Sequence, residues 1–113
     1  MKLIGRVEPI WIKGRKVDAK IDTGSYRTSI DLSLAAELKL GPIVKVKKFR
    51  SASLEEAERR ALVKLRYKLG DEEIETIASV ARREKMRYKV IIGRKDLKGR
   101  FLVDPSKERL TER

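Results

Sequence analysis

The sequence predicts a mainly β domain with one or two short helices, and three runs of residues carry that prediction. Residues 17–22 alternate apolar Val17, Ala19 and Ile21 with polar Asp18, Lys20 and Asp22, the period-2 pattern of a half-buried strand. Val90-Ile91-Ile92-Gly93 is a short β-branched run of the buried type. Residues 62–67, Leu-Val-Lys-Leu-Arg-Tyr, nearly alternate again. A length of 113 residues is enough for one domain, 1–113, with a real but modest core.

The elements follow in order. Leu3 to Val7 and Ile10 to Ile12 are strand-like, with Pro9 expected as a bend between them. Gly14 turns the chain into a strand over Lys16 to Ile21, which stops at Thr23-Gly24. Thr28 to Ile30 is extended. Asp31 or Ser33 can cap a short helix through Leu34, Ala35, Ala36 and Leu38, ended by Gly41-Pro42. Residues 43–49 and 61–69 read as strands, and Gly70-Asp71 turns into a further strand over 73–80. The strand at 90–94 is followed by a short helical turn, Lys95-Asp96-Leu97-Lys98. Residues 51–58 carry two readings. Ser53 and Glu56 fit a helical capping box; alternatively, two strands meet there in a hairpin tip.

The chemistry concentrates at Asp22-Thr23-Gly24-Ser25. A carboxylate in a tight turn at the end of an apolar strand is held by backbone, as a general base must be. Asp before Gly is also ordinary turn composition, so the tripeptide alone does not decide. The apolar-apolar-Gly strand at 90–93, some seventy residues later, supplies the element that supports such a loop.

With these two motifs the chain resembles the retropepsin-like aspartic peptidases. More narrowly, it resembles the small group labelled ATP-dependent zinc proteases. The residues that carry the resemblance are 19–25 with Arg27-Thr28-Ser29, Arg83-Glu84-Lys85-Met86 ahead of 90–94, and Leu97 with Phe101-Leu102-Val103-Asp104-Pro105-Ser106. It spans about residue 3 to about residue 107. It implies a closed β-barrel subunit, a two-fold homodimer, and a flap whose tip falls near 51–56. Retroviral flap tips are Gly-rich and this segment has no Gly. By resemblance Asp22, Thr23 and Gly24 are catalytic: Asp22 activates water, Thr23 cross-links the two loops, and Gly24 lies along substrate. Ser25 completes a common Asp-Thr-Gly-Ser pattern and is assigned to substrate binding. Ile92, Gly93 and Arg94 support the loop. The acid that the matching Arg pairs with in retroviral subunits is replaced here by Tyr26, so Arg94 is expected to brace the loop through backbone carbonyls or another acid. Asp104 reads as a terminal turn that orders the dimer sheet, and Trp11 as core or interface packing.

Two carboxylates sharing one proton are required by this chemistry, because like charges about 3 Å apart cannot both ionise. The chain has one Asp-Thr-Gly, so the second Asp22 must come from another copy. No cofactor is expected. The chain has no Cys and no His, which removes the usual zinc ligands, and it has no Gly-x-x-x-x-Gly-Lys phosphate loop. The "ATP" and "zinc" of the narrower group's label therefore have no visible basis in these residues, and no metal-binding residue is assigned.

Lys plus Arg total 29 against 17 acids, a net charge of +12, so polyanions are natural partners. Arg50 precedes the proposed flap tip, and Arg59 and Arg60 follow it; all three are assigned to substrate binding, with a preference for acidic, glutamate-rich peptides. Thermophile ion-pair networks are the other use for such charge, and 41% charged residues with no Asn or Gln suggest that source. Nucleic acid is the other candidate partner, weakened by only 5% aromatics and no stacking motif. No apolar run is long enough for a membrane span and no signal peptide is evident, so a cytoplasmic location is expected. The leading reading is a dimeric aspartic endopeptidase. The alternatives are a catalytically silent retropepsin-like binding or assembly protein, and a basic RNA-associated domain.

Overall fold

The computed structural model describes residues 1–49 and 58–112. Nine strands are described: β1 Lys2–Ile4, β2 Val7–Ile12, β3 Arg15–Asp22, β4 Ser29–Asp31, β5 Ile43–Phe49, β6 Glu58–Leu69, β7 Glu72–Ala81, β8 Val90–Gly93 and β9 Phe101–Val103. Two short helices, α1 Leu32–Glu37 and α2 Arg94–Leu97, and a closing 3-10 turn at Leu110–Glu112 complete the described elements.

Six strands close on themselves in the order β2-β3-β8-β4-β7-β6, and β6 returns to β2 where Lys68 pairs with Trp11. β5 lies outside this ring, paired only with β6 among the described residues. The arrangement is the expected mainly β closed barrel with two short helices. β3 and β8 run parallel, with Ile21 opposite Ile92 and Asp22 opposite Gly93. Inward residues fill the barrel: Ile10, Ile12, Ala19, Ile30, Leu65, Leu69, Ile74, Ala78, Val90 and Ile92 are all essentially inaccessible to solvent. Burial of such side chains stabilises each by about 1.5–3 kcal/mol.

Several local expectations change. Pro9 is not a bend; β2 runs unbroken through it, with Pro9 opposite Asp18. The Val7 carbonyl, two residues earlier, is turned away from β3 to accept from Arg109 N. Pro9 shares that orientation, so its missing N–H removes no ladder bond. The first strand ends at Ile4 because Gly5 passes beneath the C-terminal segment, where a Cβ would meet the Lys107 carbonyl at 2.3 Å. Asp31, rather than Ser33, caps α1, accepting from Leu34 N at 3.2 Å. The helix stops before Gly41-Pro42, because Lys39 takes a φ of +52° and Leu40 N bonds back to Ala35 O, a left-handed helix end. Trp11 is 37% exposed on the outer face and is not core; Lys16 Nζ sits 6.0 Å from its ring centre. Asp104 does form a terminal turn, accepting from both Ser106 N and Ser106 Oγ. The strand before it, β9, pairs in parallel with β1 of the same chain.

One buried carboxylate ties the ends of the chain together. Glu8 is fully inaccessible and accepts from Gly5 N, Leu110 N, Thr111 N and Thr111 Oγ1 at 2.7–3.0 Å. Four donors satisfy a charge that would otherwise be too costly to bury. Nearby, Arg109 grips Asp18 with two bonds of 2.9 and 2.5 Å.

Candidate active site

Asp22 is the last residue of β3, and the loop that follows folds back onto its own carboxylate. Gly24 N donates to Asp22 Oδ1 and Ser25 Oγ to Oδ2, both at 3.0 Å, while Ser25 N closes the turn on Asp22 O at 3.1 Å. The carboxylate is thus fixed by its own loop and half-exposed, with Thr23 and Gly24 open to solvent. Ser25 Oγ points at the carboxylate.

The strand β8 and the start of α2 carry this loop from below. Ile92 is fully buried against the Ile21 strand. At Gly93 an added Cβ would lie 2.6 Å from Tyr26 O and from Arg27 C, so only glycine lets the loop backbone come this close. The next two main-chain N–H groups, of Arg94 and Lys95, donate to Ser25 O and Tyr26 O at 2.8 and 3.0 Å. Arg94 Nη1 reaches the Thr23 carbonyl over a long 3.5 Å contact, and its guanidinium lies over the Tyr26 ring, 5.5 Å from the centroid. The brace through a backbone carbonyl is as expected; the aromatic face takes the place of an acid.

Beneath the loop runs a polar chain that sequence reasoning missed. Gly93 N donates to Thr28 Oγ1 at 3.1 Å, and Thr28 Oγ1 donates to Asp96 Oδ2 at 2.6 Å. Tyr67 OH and Thr76 Oγ1 donate to the same carboxylate at 2.9 and 2.7 Å. Asp96 and Thr28 are both buried. Burial, and then the Asp96 charge beside it, push the Tyr67 phenol far above its ordinary range. Thr28 lies in the motif region and Asp96 in the helical turn after Arg94, but their partners lie 29 and 68 residues apart in sequence. No local pattern joins them.

The proposed substrate residues separate. Arg59 and Arg60 lie on β6 opposite Lys48 and Lys47 of β5, so one hairpin does bring the basic residues together. Neighbouring residues on a strand face opposite ways: Arg59 is exposed and Arg60 half-buried. Arg50 and the flap-or-helix question at 51–58 fall outside the described residues, except that Glu58 begins β6.

Arg83, quoted in the family resemblance but given no role, is half-buried. Its guanidinium loses some of its hold on the proton through burial and through Arg60, and Asp22 and Asp31 act in the opposite sense. Asp31 itself is buried. Burial alone would raise its pKa, but the N–H groups of Arg83 and Leu34 and the Lys89 charge outweigh that and hold it below the ordinary value of 3.8.

Among the described residues no three Asp or Glu side chains converge as a metal site would need. With no His or Cys in the sequence, the donor set does not fit a zinc centre. No helix among the described residues is long and apolar enough to cross a membrane.

Comparisons with known proteins agree with this geometry. No curated protein matches the chain. Among solved structures, a Legionella pneumophila protein of unknown function (DUF785) superposes with a TM-score of 0.68 at 18% identity, covering 97% of this chain and 98% of that one. A retropepsin-like aspartic protease from Rickettsia conorii gives 0.59 at 17% identity over 79% of this chain and 67% of that one. The protease of simian foamy virus gives 0.62 at 14%, over 80% and 89%. At these identities the likeness is one of fold. A family model described as RimB-like, retropepsin-like aspartic endopeptidase RimB, matches residues 32–113, a stretch that begins beyond the Asp22 loop. The chain belongs to the RimB-like family of retropepsin-like aspartic endopeptidases.

Proposed function

We propose that the protein is a dimeric aspartic endopeptidase whose reacting groups are two Asp22 carboxyls, one from each of two copies. The observation that supports this best is the Asp22 loop. A carboxylate is pinned by Gly24 N and Ser25 Oγ, carried on a glycine that admits no side chain, and left open on its outer side. In such a pair one carboxylate takes a proton from water as the water oxygen attacks the scissile carbonyl. The other, protonated, donates to the carbonyl oxygen. The resulting diol collapses as a proton passes to the amide nitrogen and the C–N bond breaks. Thr23, exposed beside Asp22, would in this reading meet its counterpart across the two-fold axis.

An apolar strip favours the second copy as partner. Leu3 and Leu102 are cross-strand neighbours in the β1–β9 pair, 49% and 53% exposed. Leu102 also lines a hollow of about 540 Å³ together with Thr23, Tyr26, Arg94 and Phe101. A contact here would bury the strip and bring the Asp22 loops together. Substrates are proposed to be acidic peptides, on the strength of the net charge and of the Lys47, Lys48, Arg59 and Arg60 pairs on β5 and β6. The resemblance of residues 101–106 supports a reading within the group labelled ATP-dependent zinc proteases, without a metal or nucleotide step.

Wild type and Asp22→Asn are to be compared on glutamate-rich peptides, with light scattering alongside. The reading expects a dimer, cleavage that survives EDTA, and loss of cleavage in Asp22→Asn. A protein monomeric at every concentration, or an Asp22→Asn variant as active as wild type, overturns it. Cleavage abolished by EDTA and restored by Zn²⁺ would do the same for the metal-free mechanism.

A further inference from the structure

Trp11, the one tryptophan of the chain, stands outward from β2 between the fully buried Ile10 and Ile12. A lone exposed indole needs no explanation, but strand pairing gives this one a particular setting. Trp11 lies opposite Lys16 of β3 and opposite Lys68 of β6, and residues directly opposite share a face of the sheet. One row across the outer surface therefore reads Lys16, Trp11, Lys68, at the seam where β6 closes the barrel onto β2. Lys64 follows on the same face of β6, about 13 Å from Lys68. Trp11, Lys64 and Lys68 line a groove of about 1260 Å³ that no residue of the Asp22 loop borders. Lys16 and Asp22 are at opposite ends of β3, about 20 Å apart at the rise of a strand.

The charges in the groove are unevenly answered. Asp71 and Glu75 are taken by Lys2 and Arg66 in ion pairs. Lys16 pairs with Glu112 at 3.0 Å while its Nζ lies 6.0 Å from the Trp11 ring centre. The ammonium groups of Lys64 and Lys68 are exposed and have no ion-pair or hydrogen-bond partner among the described residues. Glu73, opposite Lys68 in register, is the one acid of the groove left to offset them.

An indole face flanked by cations suits a ligand that alternates flat rings with anions. A nucleobase stacks on the ring whatever its identity, and phosphates to one side meet Lys68 and Lys64 as point charges. Same-face residues of β6 recur about every 6.7 Å, a spacing that a stretched chain of nucleotides can follow. An acidic peptide brings carboxylates but no flat partner for the indole. A duplex keeps its base faces covered. We infer that Trp11, with Lys68 and Lys64, forms a binding site for single-stranded nucleic acid on the outer face of the barrel, apart from the Asp22 loop. No stacking motif announces it in the sequence, because Trp11 and Lys68 meet only through the closure of β6 on β2. The inference stands independently of the peptidase reading.

The test is intrinsic tryptophan fluorescence, which in this chain reports on Trp11 alone. An oligouridylate of about ten nucleotides is titrated into the full chain, with an RNA duplex and a glutamate homopolymer of the same length in parallel. The site predicts saturable quenching by the oligouridylate, weakened by salt with a log–log slope of about −0.7 per phosphate contact. Variants are read by anisotropy of the labelled oligouridylate. Trp11→Ala should bind roughly 5- to 150-fold more weakly, and Trp11→Phe should recover part of that loss. Lys68→Gln should reduce the steepness of the salt slope by about 0.7. Lys107→Gln removes the same charge from a residue outside the groove and should leave the slope standing. Melting curves for each variant establish that it is folded. No quenching at low salt, binding that Trp11→Ala leaves unchanged, or a slope that falls equally in Lys107→Gln overturns the site. Equal quenching by the glutamate homopolymer gives the groove to acidic peptides, and equal affinity for the duplex removes the stacking; either result overturns the single-stranded nucleic-acid site.

Discussion

Arg94 stacks over Tyr26, 5.5 Å from the ring centroid, and the same guanidinium reaches the Thr23 carbonyl. The loop that carries Asp22 is thereby clasped from outside by a cation on an aromatic face, where an acid would make an ion pair.

The clasp yields a graded series. Tyr26→Phe should keep it, since the ring face is what Arg94 meets. Tyr26→Ala should cost about 0.5–1 kcal/mol in stability and weaken activity by loosening Thr23. Tyr26→Asp should restore function relative to Ala by supplying a charge. Urea melts and kcat/KM for the three variants check this; equal values for Ala and Phe would rule the stacking unimportant.

Gly93→Ala should be far more damaging than its single methyl suggests. The added Cβ meets loop backbone at 2.6 Å, and neither Tyr26 nor Arg27 can retreat without breaking the bonds to Arg94 N and Lys95 N. We expect a loss of roughly 3 kcal/mol or more, read as a lowered denaturation midpoint, with activity lost in the fraction that still folds.

Thr28→Val preserves shape and removes one hydroxyl. It leaves Gly93 N without its acceptor and Asp96 without one of three donors. The expected cost is about 2–3 kcal/mol, while Thr28→Ser should recover most of it. Denaturant titration of the pair decides the matter.

These two predictions mark how far the sequence could be read. Asp22 and its support at 90–93 were legible because strand alternation and turn chemistry are local. The closed barrel followed from the family resemblance that those motifs opened. The network on Asp96, the clamp on Glu8 and the bond of Arg83 N to Asp31 were not legible, because each joins residues far apart in the chain and carries no spacing rule. An acid in a helical turn and an acid in a strand look like surface residues until the fold surrounds them with donors. Pro9 misled for a related reason. Its cost depends on which way its missing N–H would have pointed, and only strand pairing decides that.

Stability should hold through the middle of the pH range and fall at both ends. Asp18 sits below its ordinary 3.8, chiefly through its bond to Arg109 and against the opposing effect of burial; Asp31 is lowered as well. A depressed carboxyl contributes fully above the unfolded value and loses that contribution as pH falls through the folded one, so the acid limb lies below 3.8. Tyr67 is raised from 10.0. Its contribution is complete below that value and declines above it, as the unfolded chain gives up a proton that the folded one keeps. Melting temperatures from about pH 2 to about pH 12 should trace both limbs. Asp18→Asn should flatten the acid one, and Tyr67→Phe the alkaline one.

Glu8 has a consequence for the order in which this chain is made. A growing polypeptide presents Glu8 early, yet three of its four donors belong to residues 110 and 111. Until those emerge, the opening strand has a bare carboxylate where the finished barrel has a satisfied one, and closing around it is penalised. Assembly of the Asp22 loop, which also waits for Gly93 and Asp96, is therefore coupled to the emergence of residues 110 and 111. A fragment ending before residue 110 would be held back from maturity by its own eighth residue.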